Sequence, residues 1–190
     1  MLERMKLYFA PRTRATRPRW LLEELEVPYE LVRLDLAKSE HRSAEFLALN
    51  PLGEVPVLVD GEVTLFESSA ICLHLADRFP EHRLAPPPGS PERGDYLQWL
   101  LFAEVTLEPV IAAQGRPTAG PPLEVLLSLV ERRLEGREVL VGNGFTAADV
   151  VMASILHRAH TMKLLEGHAR LVEYVLRHTR RPATLRAVSS

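Results

Sequence analysis

Residues 50–71 read NPLGEVPVLVDGEVTLFESSAI, and this stretch decides the fold of the chain. The apolar run around Pro56 predicts a strand that carries a proline in its second position. Asp60 and Gly61 then predict the tight turn of a hairpin, and a second strand follows. Glu67 and Ser68 open a helix, where unpaired backbone amides and the helix dipole favour an anion. The stretch therefore predicts a backbone cradle for a small anion.

The elements around this stretch predict a small α/β domain. A strand, a helix and a strand come first, and they imply parallel neighbours joined by a right-handed crossover. A second helix, the hairpin and a third helix complete the order βαβαββα, so the predicted four-stranded sheet is mixed. No GxGxxG pattern is present, which argues against a dinucleotide fold. Beside the hairpin, we predict strands at 5–9 and 29–34 and helices at 17–26, 40–49 and 67–78.

A proline-rich segment separates this domain from the rest of the chain. Residues 84–91 read LAPPPGSP, and consecutive prolines favour a semi-rigid extended spacer. Beyond it, helical periodicity replaces the strand patterns. We predict a domain at 1–80, a linker at 81–90 and an all-helical domain at 91–190. Its helices are predicted near 91–113, 123–134, 146–160 and 167–178, with a short one from Arg181.

The sequence FTAAD at residues 145–149 is a strong local helix signal. Thr146 can cap the helix, and Asp149 can accept a hydrogen bond from the backbone amide of the cap residue. Phe145 and Val150 hold the positions of a hydrophobic staple. A well-capped helix is predicted to begin here.

Composition excludes several classes of function. The formal net charge of −2 gives no reason to expect nucleic acid or an anionic membrane as a partner. A single cysteine, Cys72, excludes an intramolecular disulfide framework and cannot build a zinc cluster alone. No apolar run reaches the roughly 18 residues that span a bilayer, and the N-terminus has no signal-peptide core. We therefore expect a cytoplasmic protein without a metal and without a nucleic-acid or membrane partner.

Taken together, these motifs resemble the cytosolic glutathione transferase family over essentially the whole chain. The motifs that carry the resemblance are NPLGEVP, ESSAI and FTAAD, and the pattern is similar to bacterial, theta-like or serine-type members. The resemblance implies a thioredoxin-like N-terminal domain followed by an all-α domain. It also implies a homodimeric enzyme that stabilises the thiolate of glutathione, its co-substrate. The enzyme would conjugate that thiolate to a small hydrophobic electrophile bound against the helical domain, a detoxification reaction.

The resemblance assigns ligand contacts to the cradle. It implies a cis bond between Val55 and Pro56, with the backbone of Val55 pairing with the cysteinyl peptide of glutathione. It also implies that the hydroxyl and amide of Ser68 take the γ-glutamyl carboxylate and that Glu67 takes the ammonium. From the residues alone, an edge-strand terminator is the better interpretation of Pro56. Glu67 and Ser68 can also simply cap the helix, and capping and ligand binding use the same groups.

His41 and Arg42 open the short second helix, and by resemblance they reach the glycyl carboxylate. The alternative is an ordinary solvated helix face. Glu54 departs from the family, since many relatives have lysine, arginine or glutamine just before the Val-Pro pair. Its carboxylate would repel the glycyl carboxylate unless Arg12 or Arg42 neutralises it.

By resemblance, the loop PRTRATR at residues 11–17 contains the residue that activates the glutathione sulfur. The family places Tyr, Ser or Cys here, and Thr13 best matches the serine position, with Thr16 second. One hydrogen bond to a charged group contributes about 1.5–3 kcal/mol, enough to lower a thiol pKa by about one to two units. Arg14 or Arg17 can add to this effect. The alternative for Thr13 is an ordinary loop hydroxyl or a helix cap.

Two further functions stay open on the same fold. One is a non-catalytic glutathione-binding or interaction module, which the unusual threonine and the adverse Glu54 favour. The other is a glutathione-dependent isomerase or peroxidase. The absence of serine and cysteine from residues 11–17 makes the isomerase the weaker alternative.

Overall fold

The computed structural model describes residues 5–113, 116 and 120–189. The chain divides into two compact units. The first contains the residues up to Arg78 together with those from Ala183 onward, and the second is Phe79–Pro182.

The first unit is built on a mixed four-stranded sheet in the order β2-β1-β3-β4. The strands β1 and β2 are parallel, with Leu7 opposite Leu31, whereas β3 pairs antiparallel with both β1 and β4. This confirms the predicted order βαβαββα and the thioredoxin-like architecture. The strands are β1 (Met5–Phe9), β2 (Tyr29–Arg33), β3 (Val57–Asp60) and β4 (Val63–Phe66), and the helices are α1 (Thr16–Leu25), α2 (Ala44–Leu49) and α3 (Ser68–Arg78).

Two predicted elements of the first unit differ from the structure by more than one residue at a boundary. The strand predicted from Val55 begins at Val57 instead, because Pro56 has no N–H to donate to a strand partner. The helix predicted at 40–49 is divided into a 3-10 turn, Glu40–Arg42, and α2. Ser43 lies between them and caps α2, since its Oγ accepts the amide hydrogen of Phe46 at 3.2 Å.

The core of the first unit lies between the sheet and the helices α1 and α3. Met5, Leu7 and Phe9 alternate as buried residues along β1 and so point to one face. Tyr8 points to the other face and meets Phe46 of α2, with 5.7 Å between the ring centroids. The side chains of α1 and α3 that complete this core are Trp20, Leu21, Leu22, Leu25, Ile71, Cys72 and Leu75.

The helix α3 is held on β3 by a buried carboxylate. Asp60, the last residue of β3, is 3% exposed, and its Oδ2 lies 2.9 Å from Nε2 of His74. The same oxygen accepts a hydrogen bond from Arg78. Because burying an unpaired carboxylate is costly, these two contacts fix the position of α3 along the strand.

The last helix of the chain, α9 (Pro182–Val188), is tied to α1. Arg19 donates to the carbonyl oxygens of Arg186 and Ser189 at 3.1 and 3.0 Å. Nε of Arg186 lies 2.7 Å from Oε2 of Glu23. The sequence places these residues with the helical domain and does not foresee these contacts. The division predicted at residues 81–90 stays a prediction.

Within 79–182, each element of regular secondary structure that the structure describes is a helix. A π-helical turn, Phe102–Leu107, interrupts its first long helix. The helices are α4 (Pro91–Leu101), α5 (Glu108–Ala112), α6 (Leu123–Arg133), α7 (Ala147–Thr161) and α8 (Ala169–Thr179). Within the described residues, no helix has the length and apolar character that crossing a membrane requires.

The predicted cap of α7 is confirmed. Oδ2 of Asp149 accepts hydrogen bonds from the amide of Thr146 at 2.9 Å and from its hydroxyl at 3.0 Å. The other oxygen, Oδ1, accepts from the amide of Leu140 and the hydroxyl of Tyr174, both at 2.8 Å. Burial raises the pKa of Asp149 above its usual value, although these donors act in the opposite direction. The carboxylate therefore joins three segments of the helical unit.

Candidate functional site

The cradle predicted from residues 50–71 has well-defined backbone geometry. The bond between Val55 and Pro56 is cis, as the resemblance implies. Asn50 shapes the approach to it, because its Nδ2 donates to the carbonyl of Glu54 at 2.8 Å and its Oδ1 accepts from the amide of Leu52 at 3.1 Å. No hydrogen bond from the described part of the chain reaches the backbone amide or carbonyl of Val55.

The helix α3 begins at Ser68, whose side chain is buried with 1% exposure. Its Oγ accepts a hydrogen bond from Nη1 of Arg17 at 3.2 Å. Because Arg17 occupies a lone pair of that oxygen, the hydroxyl proton of Ser68 points elsewhere. It has no acceptor among the described residues. An anion at the start of α3 would meet this O–H and the first amides of the helix.

Glu67 stands immediately before α3 in the left-handed region of backbone space, with φ of 73°. This conformation costs a residue other than glycine of order 1 kcal/mol, and such strain is concentrated at functional sites. The side chain of Glu67 is exposed. It lies beside the buried Ser68, so a carboxylate and a hydroxyl donor share the same end of the helix.

For Arg17, the sequence predicts a positive charge near the site but neither its burial nor its partner. The sequence groups it with the neighbouring arginines as a source of positive charge. The structure buries it to 4% exposure, in contact with a serine 51 residues further along the chain. The only local signal is an arginine among the apolar residues of α1, and it does not identify the partner.

His41 and Arg42 lie beside the loop that precedes Val55. Nη1 of Arg42 donates to the carbonyl of Leu52 at 3.0 Å. Gly53 allows this approach, since its φ is +62° and an added Cβ would lie 2.7 Å from Nη1 of Arg42. Nδ1 of His41 is buried and has no partner among the described residues. The structure thus brings both predicted residues next to the cradle.

Glu54 is exposed, and its carboxylate forms no ion pair with a described residue. Neither Arg12 nor Arg42 neutralises it in this structure. The negative charge that the sequence identified as adverse is therefore present beside the loop formed by Leu52 and Gly53.

The hydroxyl of Thr13 is already used within its own loop. It donates to the carbonyl of Ala10 at 2.7 Å and accepts from the amide of Ala15 at 3.2 Å. These bonds are those of a loop hydroxyl at the start of α1, the alternative that the sequence left open. Thr16, the first residue of α1, has a half-buried side chain whose hydroxyl has no partner among the described residues. Arg14 is exposed.

The described residues form no cluster of His, Cys, Asp or Glu side chains that could hold a metal ion. Cys72 is a free, fully buried thiol inside α3. The candidate site consists of hydroxyls, arginines, backbone groups and the side chains of His41 and Glu67.

Comparison with known proteins identifies a family that this chain matches. The family model for the glutathione S-transferase N-terminal domain matches residues 3–77, and the model for the C-terminal domain matches residues 111–182. Glutathione S-transferase GstA of Escherichia coli O157:H7 is 30% identical over 197 aligned residues, covering 98% of each chain.

Solved structures agree with this similarity. A glutathione transferase from Methylococcus capsulatus superposes with a TM-score of 0.85 at 32% identity and covers 97% of each chain. A glutathione S-transferase from a sphingomonad, in complex with glutathione, superposes with a TM-score of 0.83 at 28% identity, over 96% of each chain.

The chain therefore belongs to the glutathione S-transferase family. The sequence-based prediction of a glutathione transferase, with glutathione as its co-substrate, is confirmed by these relatives. The bacterial, theta-like subtype stays a prediction.

Proposed function

We propose that this chain acts as a cytoplasmic homodimer that binds glutathione in the cradle of its first unit. In this proposal, it conjugates the glutathione sulfur to a hydrophobic electrophile, a reaction that serves detoxification. The proposal also assigns the individual residues that hold the tripeptide and activate its thiol.

The observation that carries this proposal is the hydrogen bond from Arg17 to Ser68. It leaves the Ser68 hydroxyl as a donor toward the start of α3, where amide hydrogens also point outward. A carboxylate matches this set of donors, and the buried guanidinium behind Ser68 adds positive charge. We assign the γ-glutamyl carboxylate to Ser68 and the ammonium to the exposed Glu67.

With the γ-glutamyl end at Ser68 and Glu67, the other two residues of glutathione can be assigned as well. The amide and carbonyl of Val55, next to Pro56, have no hydrogen-bond partner within residues 5–113, 116 and 120–189, and they suit a peptide group of the ligand. The glycyl carboxylate is assigned to His41 and Arg42. Glu54 lies beside this end and repels the glycyl carboxylate. It therefore lowers the affinity for glutathione and makes no favourable contact with it.

The proposed chemistry is a substitution or addition at an electrophilic carbon. The thiol first loses its proton to solvent, and the thiolate sulfur then forms a bond to that carbon. In a substitution the leaving group departs with its bonding electron pair. We assign the hydrogen bond to the sulfur to Thr16, whose hydroxyl has no partner in the described part of the chain. Thr13 holds the loop, and Arg14 adds positive charge. Together these groups favour the thiolate over the thiol.

Ser68→Ala tests this assignment, with Ser69→Ala as the matched control. Both residues are buried serines in the first turn of α3, so each variant removes one buried hydroxyl from the same turn. We expect Ser68→Ala to weaken glutathione binding about tenfold by calorimetry, the loss of a charge-assisted hydrogen bond. We expect Ser69→Ala to bind glutathione like the wild type. Equal affinities for the two variants would remove Ser68 from the site.

A second candidate function is a glutathione-binding module without catalysis. The observation in its favour is the Thr13 hydroxyl, which donates to Ala10 rather than toward a ligand. Turnover of 1-chloro-2,4-dinitrobenzene and of an epoxide distinguishes the two. Retention on immobilised glutathione without turnover of either compound would support the module.

The proposed homodimer has a separate test. Leu101 and Val105 expose 51% and 67% of their surface on α4 and the π-helical turn that follows it, and such apolar exposure is typical of association surfaces. Val105→Glu should shift the molecular mass measured by light scattering from dimer to monomer. Leu185→Glu, at an apolar residue of α9 that is 55% exposed, should leave the mass unchanged. A monomeric wild type would contradict the proposal.

A further inference from the structure

The first unit contains a cavity of about 490 Å³ that none of the assigned glutathione contacts lines. It lies where the chain leaves β1 and β2. Because these two strands are parallel, their carboxyl ends meet at one edge of the sheet, which is where open α/β sheets bind ligands. The residues around it are Ala10, Pro11, Arg33, Leu34, Asp35, Leu36 and Glu40.

One wall of this cavity is the start of the loop at residues 11–17 that carries Thr13, Arg14 and Thr16. The opposite wall is the segment after β2, and the two are joined by a hydrogen bond from the amide of Leu34 to the carbonyl of Phe9 at 2.8 Å. The cavity therefore adjoins the loop to which the proposed function assigns the reacting sulfur. That position suits the second substrate.

The segment after β2 is fixed by its own hydrogen bonds. Oδ1 of Asp35 accepts from the amides of Ala37 and Lys38 at 3.0 and 3.3 Å. Oε2 of Glu40 accepts from the amide of Asp35 at 2.7 Å. The segment thus holds the shape of the cavity wall before a ligand arrives, which lowers the cost of binding.

The charged side chains on the cavity wall differ in whether they have hydrogen-bond or ionic partners. Lys38 lies 3.3 Å from Oδ2 of Asp35, and its hydrogen bond keeps the pKa of that carboxyl below its usual value. The carboxylate of Glu40 is engaged by a backbone amide. The guanidinium of Arg33, by contrast, has no hydrogen-bond or ionic partner among the described residues. Leu34 and Leu36 supply the apolar surface next to it.

The resemblance places the electrophile against the helical domain; we propose instead that this cavity of the first unit binds it. Arg33 then selects electrophiles that carry a carboxylate or a similar anionic group on an apolar body. This inference rests on the proposed function, because it names the class of second substrate for the same reaction. The guanidinium pairs with the acid group, and the leucines contact the apolar body. The reacting carbon of the electrophile then faces the loop at residues 11–17.

The test compares 4-chloro-3,5-dinitrobenzoate with its methyl ester, which differ in the acid group. With either compound the glutathione sulfur bonds to the ring carbon that bears chlorine, the C–Cl bond breaks, and chloride leaves with the electron pair. The thiol proton goes to solvent. The quantity measured is kcat/KM for the acid divided by kcat/KM for the ester. The intrinsic reactivities of the two compounds cancel when this ratio is compared between variants.

Arg33→Gln should lower this ratio about tenfold, mainly through a higher KM for the acid, and Arg33→Lys should retain most of it. Lys6→Gln is the control, since it also removes one exposed positive charge from the sheet. It should leave the ratio unchanged. An unchanged ratio in Arg33→Gln, or an equal fall in Lys6→Gln, overturns the inference while leaving the proposed function intact. A wild type that turns over neither compound overturns the proposed function and this inference with it.

Discussion

Nδ1 of His168 lies 2.9 Å from Oε2 of Glu131, which joins the residue preceding α8 to the helix α6. The second ring nitrogen, Nε2, lies 3.2 Å from Oε2 of Glu124, one further carboxylate on α6. Only a doubly protonated imidazole can donate from both nitrogens. Burial by itself lowers the pKa of His168, but the hydrogen bonds and charges of the two glutamates outweigh it, so the pKa is raised.

This pair predicts the pH dependence of stability in the helical unit. Because the pKa of His168 is raised in the folded state, the contact stabilises fully below the unfolded pKa of about 6.5 and is lost as pH rises through the folded pKa. We expect Glu131→Gln to lower the free energy of unfolding by about 1 kcal/mol at pH 6 and by less at pH 9. Urea denaturation at both pH values measures this. A difference between wild type and variant that grows with pH would contradict the assignment.

Arg17 should act on glutathione affinity more than on turnover. Arg17→Lys keeps the positive charge but loses the planar fork that reaches Ser68 from its buried position. We expect about a tenfold rise in KM for glutathione with a smaller change in kcat. Arg12→Lys, at an exposed position of the same loop, is the control and should change neither. A fall in kcat alone would show that Arg17 serves the sulfur instead.

The two threonines of the loop at residues 11–17, Thr13 and Thr16, should have different effects when each is substituted. Thr16→Val should raise the pKa of the bound thiol by about one unit, the equivalent of one lost hydrogen bond. Thr13→Val should instead lower stability by about 1 kcal/mol, because both of its loop bonds are lost. Thiolate absorbance of the glutathione complex against pH and thermal denaturation measure the two quantities. The reverse pattern would assign the sulfur to Thr13.

Glu54→Gln should strengthen glutathione binding. Removing an unpaired carboxylate from beside the proposed glycyl end relieves a repulsion between like charges, and we expect a gain of about threefold in affinity at low salt. The gain should shrink at about 1 M salt, where exposed charges are screened within a few ångströms. Glu45→Gln, an exposed change in the first turn of α2, is the control. A gain that is independent of salt would point to a cause other than charge.

The parts of the fold that depend on nearby residues could be read from the sequence. The turn at Asp60 and Gly61 and the cap formed by Thr146 and Asp149 each lie within a few residues, so their chemistry is visible as a motif. The boundary at Val57 was missed, although the missing N–H of Pro56 accounts for it.

The contacts that complete the site could not be predicted in this way. Arg17 meets Ser68 across 51 residues, and Arg19 meets the carbonyl of Arg186 across 167. Such pairs depend on how α1, α3 and α9 pack, which no local pattern encodes. Thr13 shows the same limit, because a hydroxyl in the right loop is visible in the sequence but its acceptor, the carbonyl of Ala10, is not.

The contacts of α9 have a consequence for how the protein is made. The first unit is discontinuous, since the helical unit is inserted between Arg78 and Ala183. Domains usually fold in order as the ribosome releases them. Here Arg19 obtains the carbonyls of Arg186 and Ser189 only once the last residues have been synthesised. A nascent chain halted after residue 80 would therefore carry the Arg19 guanidinium without these acceptors, and the first unit is completed last although most of its sequence is synthesised first.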